Sequence, residues 1–326
     1  MEKQPTQAVV ELDNVKKRFS SVWGKPRYAL KGISFKLNRG EITAFLGPNG
    51  AGKTTTKRLI AGYLFPDEGS VRLLGVDPFE QGKQVRTRIG YLPEHNPLYN
   101  DLQVIDALQF AAGAKGLRGK QARKAIQEAV ESCKLGDLLK QTVGNLSKGT
   151  RQRIGLGQAM LGNPEVLLLD EPTNGLDPNQ IKDIHLLIRK LACRRTVLLS
   201  THQLHPVPEL CDRVLVLNQG HLVYNGATST LLNQSRTRAC LVTDQNPETV
   251  RAQLSGLGLN LDPSFKQLPG SGFYSYRIHG TWDDHRMAKT VKQWSDLGWH
   301  IGGWHLEANP MEHLFTQLTN NEVSAS

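Results

Sequence analysis

The nine residues GPNGAGKTT, Gly47–Thr55, constrain this chain more than any other stretch. They match G-x-x-x-x-G-K-[ST], follow the apolar run EITAFLG and open the run TTTKRLIAGYL, so the order is strand, tight turn, helix. Gly47, Gly50 and Gly52 let the backbone turn its N–H groups inward, with Pro48, Asn49 and Ala51 completing the loop, and such a ring of amides cradles phosphate. Lys53 supplies a point charge to β- and γ-phosphates, Thr54 a hydroxyl to Mg2+, and Thr55 a reach to the α-phosphate. The helix N-terminus faces the same anion.

A loop of this kind needs an acidic partner at the end of a buried strand. VLLLDEP, Val166–Pro172, supplies it: Asp170 is expected in the Mg2+ shell and Glu171 beside a water that it orients or deprotonates. EVLLLD and RTVLLST are short continuous apolar runs, the pattern of parallel strands buried on both faces. DRVLVLNQGHLVYNG reads as a hairpin turning at Gly220, AVVELDNV and GISFKL as strands, and Arg88–Leu92 as another. From Asp101 to Gly162 the pattern is helical with a break at GAKGLRGK. The expected fold is an α/β core carrying a helical insert.

Composition shifts near 230–240. Beyond it the order is strand (Ala239–Asp244), helix (Pro247–Leu257), a strand near Lys266, strand (Phe273–His279), helix (Asp284–Leu297), strand (His300–Leu306). That βαββαβ order predicts a small ferredoxin-like sandwich. Residues 236–326 carry 8 Lys/Arg against 9 Asp/Glu, so the +10 formal charge resides in the first part, where it suits polyphosphate, nucleic acid or an anionic membrane surface. No apolar run reaches the ~18 residues of a membrane span. The start MEKQPTQAVVELD has no signal-peptide core, and the four cysteines form no close pair. A cytosolic chain is expected.

Three further stretches complete the picture: LSKGTRQRIGLGQAML (Leu146–Leu161), GLDP (Gly175–Pro178) and STHQL (Ser200–Leu204). With the phosphate loop and VLLLDEP they make five ordered motifs, and over about residues 8–230 the chain resembles the ATP-binding cassette (ABC) ATPases. IGYLPEHNPLY with LSKG most resembles the ATPase subunits of ABC-2 type exporters, of the gliding-motility-associated and multidrug kind. The ending EHLFTQLT resembles a tail that many of them carry. The resemblance implies an ABC ATPase core of the P-loop NTPase class over 8–232, a helical subdomain at about 95–163, and an accessory α+β domain over 237–319. It implies an ATPase using ATP and Mg2+ and working as a head-to-tail homodimer, or a heterodimer with a similar cassette. In that arrangement Ser147 and Gly149 would meet the γ-phosphate held by the other subunit, Asp177 would cross the interface, and His202 would bond the γ-phosphate and hold the attacking water. Phe19 is favoured over Trp23 and Tyr28 for stacking on adenine.

Two departures stand out. Lys148 and Thr150 replace the third and fifth residues of the family's L-S-G-G-Q signature, and Glu94 stands where most of the family has glutamine. In YLPEHNPLY two prolines make a rigid loop around Glu94. A bare carboxylate ~4 Å from a phosphate charge would be repelled by roughly 4 kcal/mol at an effective dielectric of 20, so Glu94 is expected to meet the phosphate through Mg2+. The resemblance implies a subunit that powers a separate transmembrane permease from the cytoplasmic side of the membrane, exporting its cargo, with no nucleic-acid partner. The alternative is a soluble ABC ATPase acting on a ribosome or nucleic-acid complex. The chain has neither the second cassette nor the long coiled coils usual in those proteins.

Overall fold

The continuous apolar runs become strands with no exposed face. The computed structural model describes residues 8–21, 24–235, 238–257, 259–262, 265–280, 282, 284–306, 315 and 318–319. Contacts divide the chain into one unit up to Ala227 and a second over Thr228–Asn320. Trp23 and most of the EHLFTQLT ending lie outside the described residues.

The first unit runs β1 (Ala8–Ser21), β2 (Gly24–Asn38), β3 (Ile42–Leu46), α1 (Lys53–Ile60), β4 (Glu68–Leu73), α2 (Gly82–Thr87), β5 (Ile89–Leu92), α3 (Val104–Ala114), α4 (Gly119–Ser132), α5 (Lys148–Met160), β6 (Val166–Asp170), α6 (Pro178–Ala192), β7 (Thr196–Ser200), α7 (Val207–Leu210), β8 (Arg213–Asn218) and β9 (His221–Ala227). Its main sheet has the order β5-β6-β7-β3-β8-β9. The first five of these are parallel, and β9 closes the edge antiparallel through the expected hairpin. Every residue of β3, β6 and β7 is buried, as a sheet covered on both faces requires. The strand ends after Leu46, Asp170 and Ser200 therefore open on one edge, where ligands bind in α/β sheets.

A second sheet, β2-β1-β4, is antiparallel. Its strands are longer than the sequence pattern predicts, 14 residues for β1 and 15 for β2. The polar stretches KKRF and KPRY break the hydrophobic alternation, yet Lys17↔Leu30, Arg18↔Tyr28 and Phe19↔Arg27 remain paired. Ladder hydrogen bonds satisfy the backbone there, while Phe19 and Tyr28 are exposed and Lys17 pairs with Asp67.

The helical insert is α3, α4 and α5. It buries Val104, Ala107 and Leu108 from α3, Ile126 and Ala129 from α4, and Ile154 and Leu156 from α5. The predicted break is a turn with Gly116 and Gly119 at positive φ.

The second unit opens with α8 (Thr228–Ser235), then β10 (Arg238–Thr243), α9 (Pro247–Gly256), β11 (Asn260–Leu261), β12 (Lys266–Gln267), β13 (Tyr274–His279), α10 (Asp284–Asp296) and β14 (Ile301–Leu306). The order β11-β13-β10-β14, antiparallel throughout, is the ferredoxin-like arrangement. The strand expected near Lys266 is two fragments, each pairing with β13. Leu241, Tyr276 and Ile278 of the sheet pack on Val250 and Leu254 of α9 and on Trp294 of α10.

Candidate active site

The loop between β3 and α1 is built around glycines that nothing else can replace. A Cβ on Gly47 would collide with the Leu217 carbonyl, and one on Gly52, at φ 112°, would lie 2.6 Å from the Ala29 carbonyl. The loop is thus wedged between β2 and β8. Lys53 begins α1, and its Nζ donates to the carbonyls of Gly47 at 2.6 Å and Pro48 at 3.1 Å. Burial lowers its pKa, opposed by the charges of Glu171, Asp170 and Glu94.

A cleft of about 530 Å³ opens over this loop. Asn49, Gly50, Gly52, Lys53, Thr54 and Thr55 form one wall, and Glu94, Asp170, Glu171, Asn174 and His202 stand around it. Residues more than a hundred positions apart in sequence thus converge, because β6 and β7 are adjacent and end on the same side as β3.

Glu171, just past β6, is a non-glycine residue at φ 46°, a conformation that persists only where neighbours enforce it. Its N–H donates to the Ser200 carbonyl at 3.0 Å, and its own carbonyl accepts from the Asn174 N–H at 3.1 Å. Its Oε2 lies 2.8 Å from His202 Nδ1 and accepts from the His202 backbone N–H at 3.3 Å. Burial raises the Glu171 pKa, and the neighbouring His202 works against that rise.

Beneath this pair is a network that the sequence did not reveal. Lys57, fully buried, forms an ion pair with Asp170. Its Nζ also donates to Ser200 Oγ at 2.6 Å, and that hydroxyl donates to Asp170 Oδ1 at 2.6 Å. Spacing held the clue: Lys57 is four residues after Lys53 and so shares its helix face. Asn174, which lines the cleft, was missed as well.

The donor set fits Mg2+. Thr54 and Asp170 offer hard oxygens in one cleft, with Glu94 a third. Among the described residues no three His, Cys, Asp or Glu side chains could hold a metal by themselves. Mg2+ is held this way, by one or two carboxylates while phosphate and water fill the rest of the shell.

The signature residues lie elsewhere. Ser147 caps α5, accepting from the Thr150 N–H at 3.3 Å, and its hydroxyl pairs with that of Thr150 at 2.9 Å. Asp177 caps α6 through the N–H groups of Asn179 and Gln180. A Cβ on Gly149 would meet the Gln180 side chain at 2.8 Å, so α5 and α6 start against each other. Ser147, Gly149 and Asp177 do not line the cleft. Neither does Phe19, which is exposed on β1 with Lys17 Nζ 5.8 Å from its ring centroid. Tyr28 on β2 is exposed too.

The loop after β5 ties the cleft to the insert. Asn96 Nδ2 donates to the Arg151 carbonyl of α5 at 3.0 Å, and Gly155 leaves the space that Asn96 fills. Pro93 and Pro97 border a second hollow of about 750 Å³, shared with Tyr63, Tyr91 and Lys115. Glu94 thus faces the cleft from a loop whose prolines face this groove.

A P-loop strand–turn–helix, a carboxylate pair at the end of the neighbouring strand and a helical insert define an ATP-binding cassette. Comparison with known proteins agrees. The family profile described as ABC transporter matches residues 30–174. The uncharacterized ABC transporter ATP-binding protein YxlF of Bacillus subtilis (strain 168) is 38% identical over 209 residues, 64% of this chain and 69% of that protein. The Nod factor export ATP-binding protein I of Paraburkholderia xenovorans (strain LB400) is 31% identical over 319 residues, 97% of this chain and 99% of that one. The dimeric structure of the ATP-binding cassette MJ0796 bound to ADP and Pi superposes with a TM-score of 0.61 at 25% identity, covering 67% of this chain and 98% of that chain. The chain belongs to the ATP-binding subunits of ABC transporters, enzymes that hydrolyse ATP in support of transport. Among its described residues no helix is long and apolar enough to cross a membrane.

Proposed function

We propose that this subunit powers a separate ABC-2 type permease as an exporter, working as a dimer on the cytoplasmic side of the membrane. The observation that carries the reading is the loop bearing Glu94, whose residues border both the phosphate cleft and an open groove beside the helical insert. The groove is where a membrane partner has something to grip: Tyr63 lines it exposed, and Tyr99 and Phe110 are exposed nearby in sequence as an edge-to-face pair. Similarity over nearly the whole chain to a protein named for export supports the direction.

In this reading the loop amides and Lys53 hold the phosphates, and Phe19 stacks on adenine. Thr54, Asp170 and Glu94 would hold Mg2+, which when bound offsets phosphate charge. Glu171 positions the attacking water and accepts its proton. His202 keeps the Glu171 carboxylate in place through its ring and backbone and reaches the γ-phosphate. Ser147, Gly149 and Asp177, remote from their own subunit's cleft, serve the nucleotide of the second copy. Ser147 and Asp177 cap their helices by accepting from backbone N–H groups, so the helix N-termini there are already ordered.

Glu171→Gln tests the assignment. The amide preserves the shape of the site but cannot take a proton, so turnover is expected to fall ~10²–10⁴-fold while ATP affinity is kept. The ATP-loaded variant is expected to sediment as a dimer and the nucleotide-free one as a monomer. Wild-type turnover, or an ATP-loaded monomer, would refute it.

A further inference from the structure

Lys57 is a charged residue with no exposure, on the helix that also carries Lys53 and Thr54. Its ammonium is held by two partners, Asp170 and Ser200 Oγ, and these two bond each other. Stability gives no reason for it. A buried ion pair is on balance no better than apolar side chains of the same volume, and the surroundings on α1, Leu59 and Ile60, are buried and apolar. The position matters instead for what Asp170 can do. A carboxylate already matched by an ammonium offers less to a second cation, and the two positive charges repel across it.

We propose that Lys57 is a positioning residue that competes with the divalent cation for Asp170 and so keeps this site's hold on its metal weak. The inference rests on Asp170 belonging to the metal's shell. Lys57 holds the Asp170 carboxylate in one orientation when no divalent ion is near, and it limits the affinity when one arrives. Lys57 and Thr54 stand three residues apart on α1, so the ammonium that holds Asp170 and the hydroxyl offered to the metal come from one helix. The consequence is a site that exchanges metal with nucleotide instead of retaining it between turnovers.

The test measures metal binding and not turnover. Free Mn2+ is followed by its EPR signal during titration into the full chain with saturating ADP, for wild type, Lys57→Met and Lys57→Gln. Methionine keeps the volume and removes the charge; glutamine keeps a donor toward Ser200. Both variants are expected to bind Mn2+ at least about tenfold tighter, a change set by loss of Coulomb repulsion. A purely structural Lys57 predicts the opposite, looser binding in a distorted site, and unchanged or looser Mn2+ in folded variants overturns the proposal. Should a variant be unstable alone, Mn2+ with ADP is expected to restore its fold, since the divalent ion replaces the missing cation; failure of both variants to fold with Mn2+ and ADP also counts against it. Asp170→Asn on the Lys57→Met background separates the two readings. Lost affinity there upholds Asp170 as a metal group even if Lys57→Met bound no tighter. No loss would remove Asp170 from the shell and the proposal with it.

Discussion

In the role proposed for it Glu171 has to be ionised, yet its burial favours the neutral acid. His202 resolves part of the conflict, through its charge and through two hydrogen bonds to the carboxylate. The sign of the pH effect follows. A carboxyl group with a raised pKa is active above that value and inactive below it, so hydrolysis is expected to fall on the acid side earlier than an ordinary glutamate would dictate. Replacing His202 by alanine removes the ring's charge and hydrogen bond, which lower the pKa, and keeps the backbone N–H bond. The acid limb of the pH–rate profile is therefore expected to move to higher pH in His202→Ala, apart from any loss in maximum rate. An acid limb at the same pH in both proteins would show that the ring does not tune the carboxylate. At this scale the sequence was informative where chemistry needs neighbours in the chain. Lys53, Thr54, Asp170, Glu171 and His202 each sit in a motif of a few residues and line one cleft. Lys57 was only half legible: its spacing from Lys53 gives the helix face, but TTTKRLI reads equally as a helix with a solvated lysine. Only the adjacency of β6 and β7 brings Asp170 and Ser200 to that face.

At the scale of elements, close approaches decide which residues are replaceable. Gly90 in β5 lies so near the end of α5 that a Cβ would collide with the Ala159 backbone carbonyl. Neither strand nor helix can yield without disturbing the sheet, so Gly90→Ala is expected to cost at least ~2 kcal/mol of unfolding free energy in urea. Gly113 in α3 is the contrast. It is exposed, and an added Cβ would meet nothing within 4 Å, so Gly113→Ala is expected to stabilise by ~0.5–1 kcal/mol through the unfolded chain. Equal effects at the two positions would mean that the β5–α5 contact is softer than its geometry. Strand existence was legible from apolar runs, since burial on both faces leaves a continuous signal. Strand length was not. Polar residues in the outer halves of β1 and β2 hide a ladder that backbone pairing sustains, helped by the ion pairs of Lys16 with Glu68 and Lys17 with Asp67, and the two short pieces opposite β13 carry too few residues to show a period.

At the scale of the whole chain, tryptophan offers a natural probe. Four of the five tryptophans, Trp282, Trp294, Trp299 and Trp304, lie in the second unit, and Trp294 packs against both Trp299 and Trp304. Their fluorescence reports that unit with little contribution from the first. A chain truncated after Ala227 is expected to fold, lose nearly all tryptophan emission and bind ATP as the full chain does, because every residue lining the cleft precedes that point. Titration with a fluorescent ATP analogue checks this, and a folded truncate without affinity would break the two-domain reading. The composition shift near residues 230–240 pointed to two parts; the division by contacts falls earlier, between Ala227 and Thr228, because α8 goes with the second part.

The tie between Asn96 and Arg151 has a thermodynamic consequence. One short stiff segment borders the cleft and the groove and is pinned to the helix that Ser147 caps. If occupancy of either hollow displaces it, occupancy of the other is altered by the same free energy, because binding equilibria that share a displaced element are linked in both directions. Whatever settles in the groove then acts as an effector of metal and nucleotide, and metal and nucleotide act as effectors of it with equal strength. Reciprocity of that kind requires no message to travel in a preferred direction. Direction comes only from the hydrolysis step, which makes one half of the exchange irreversible.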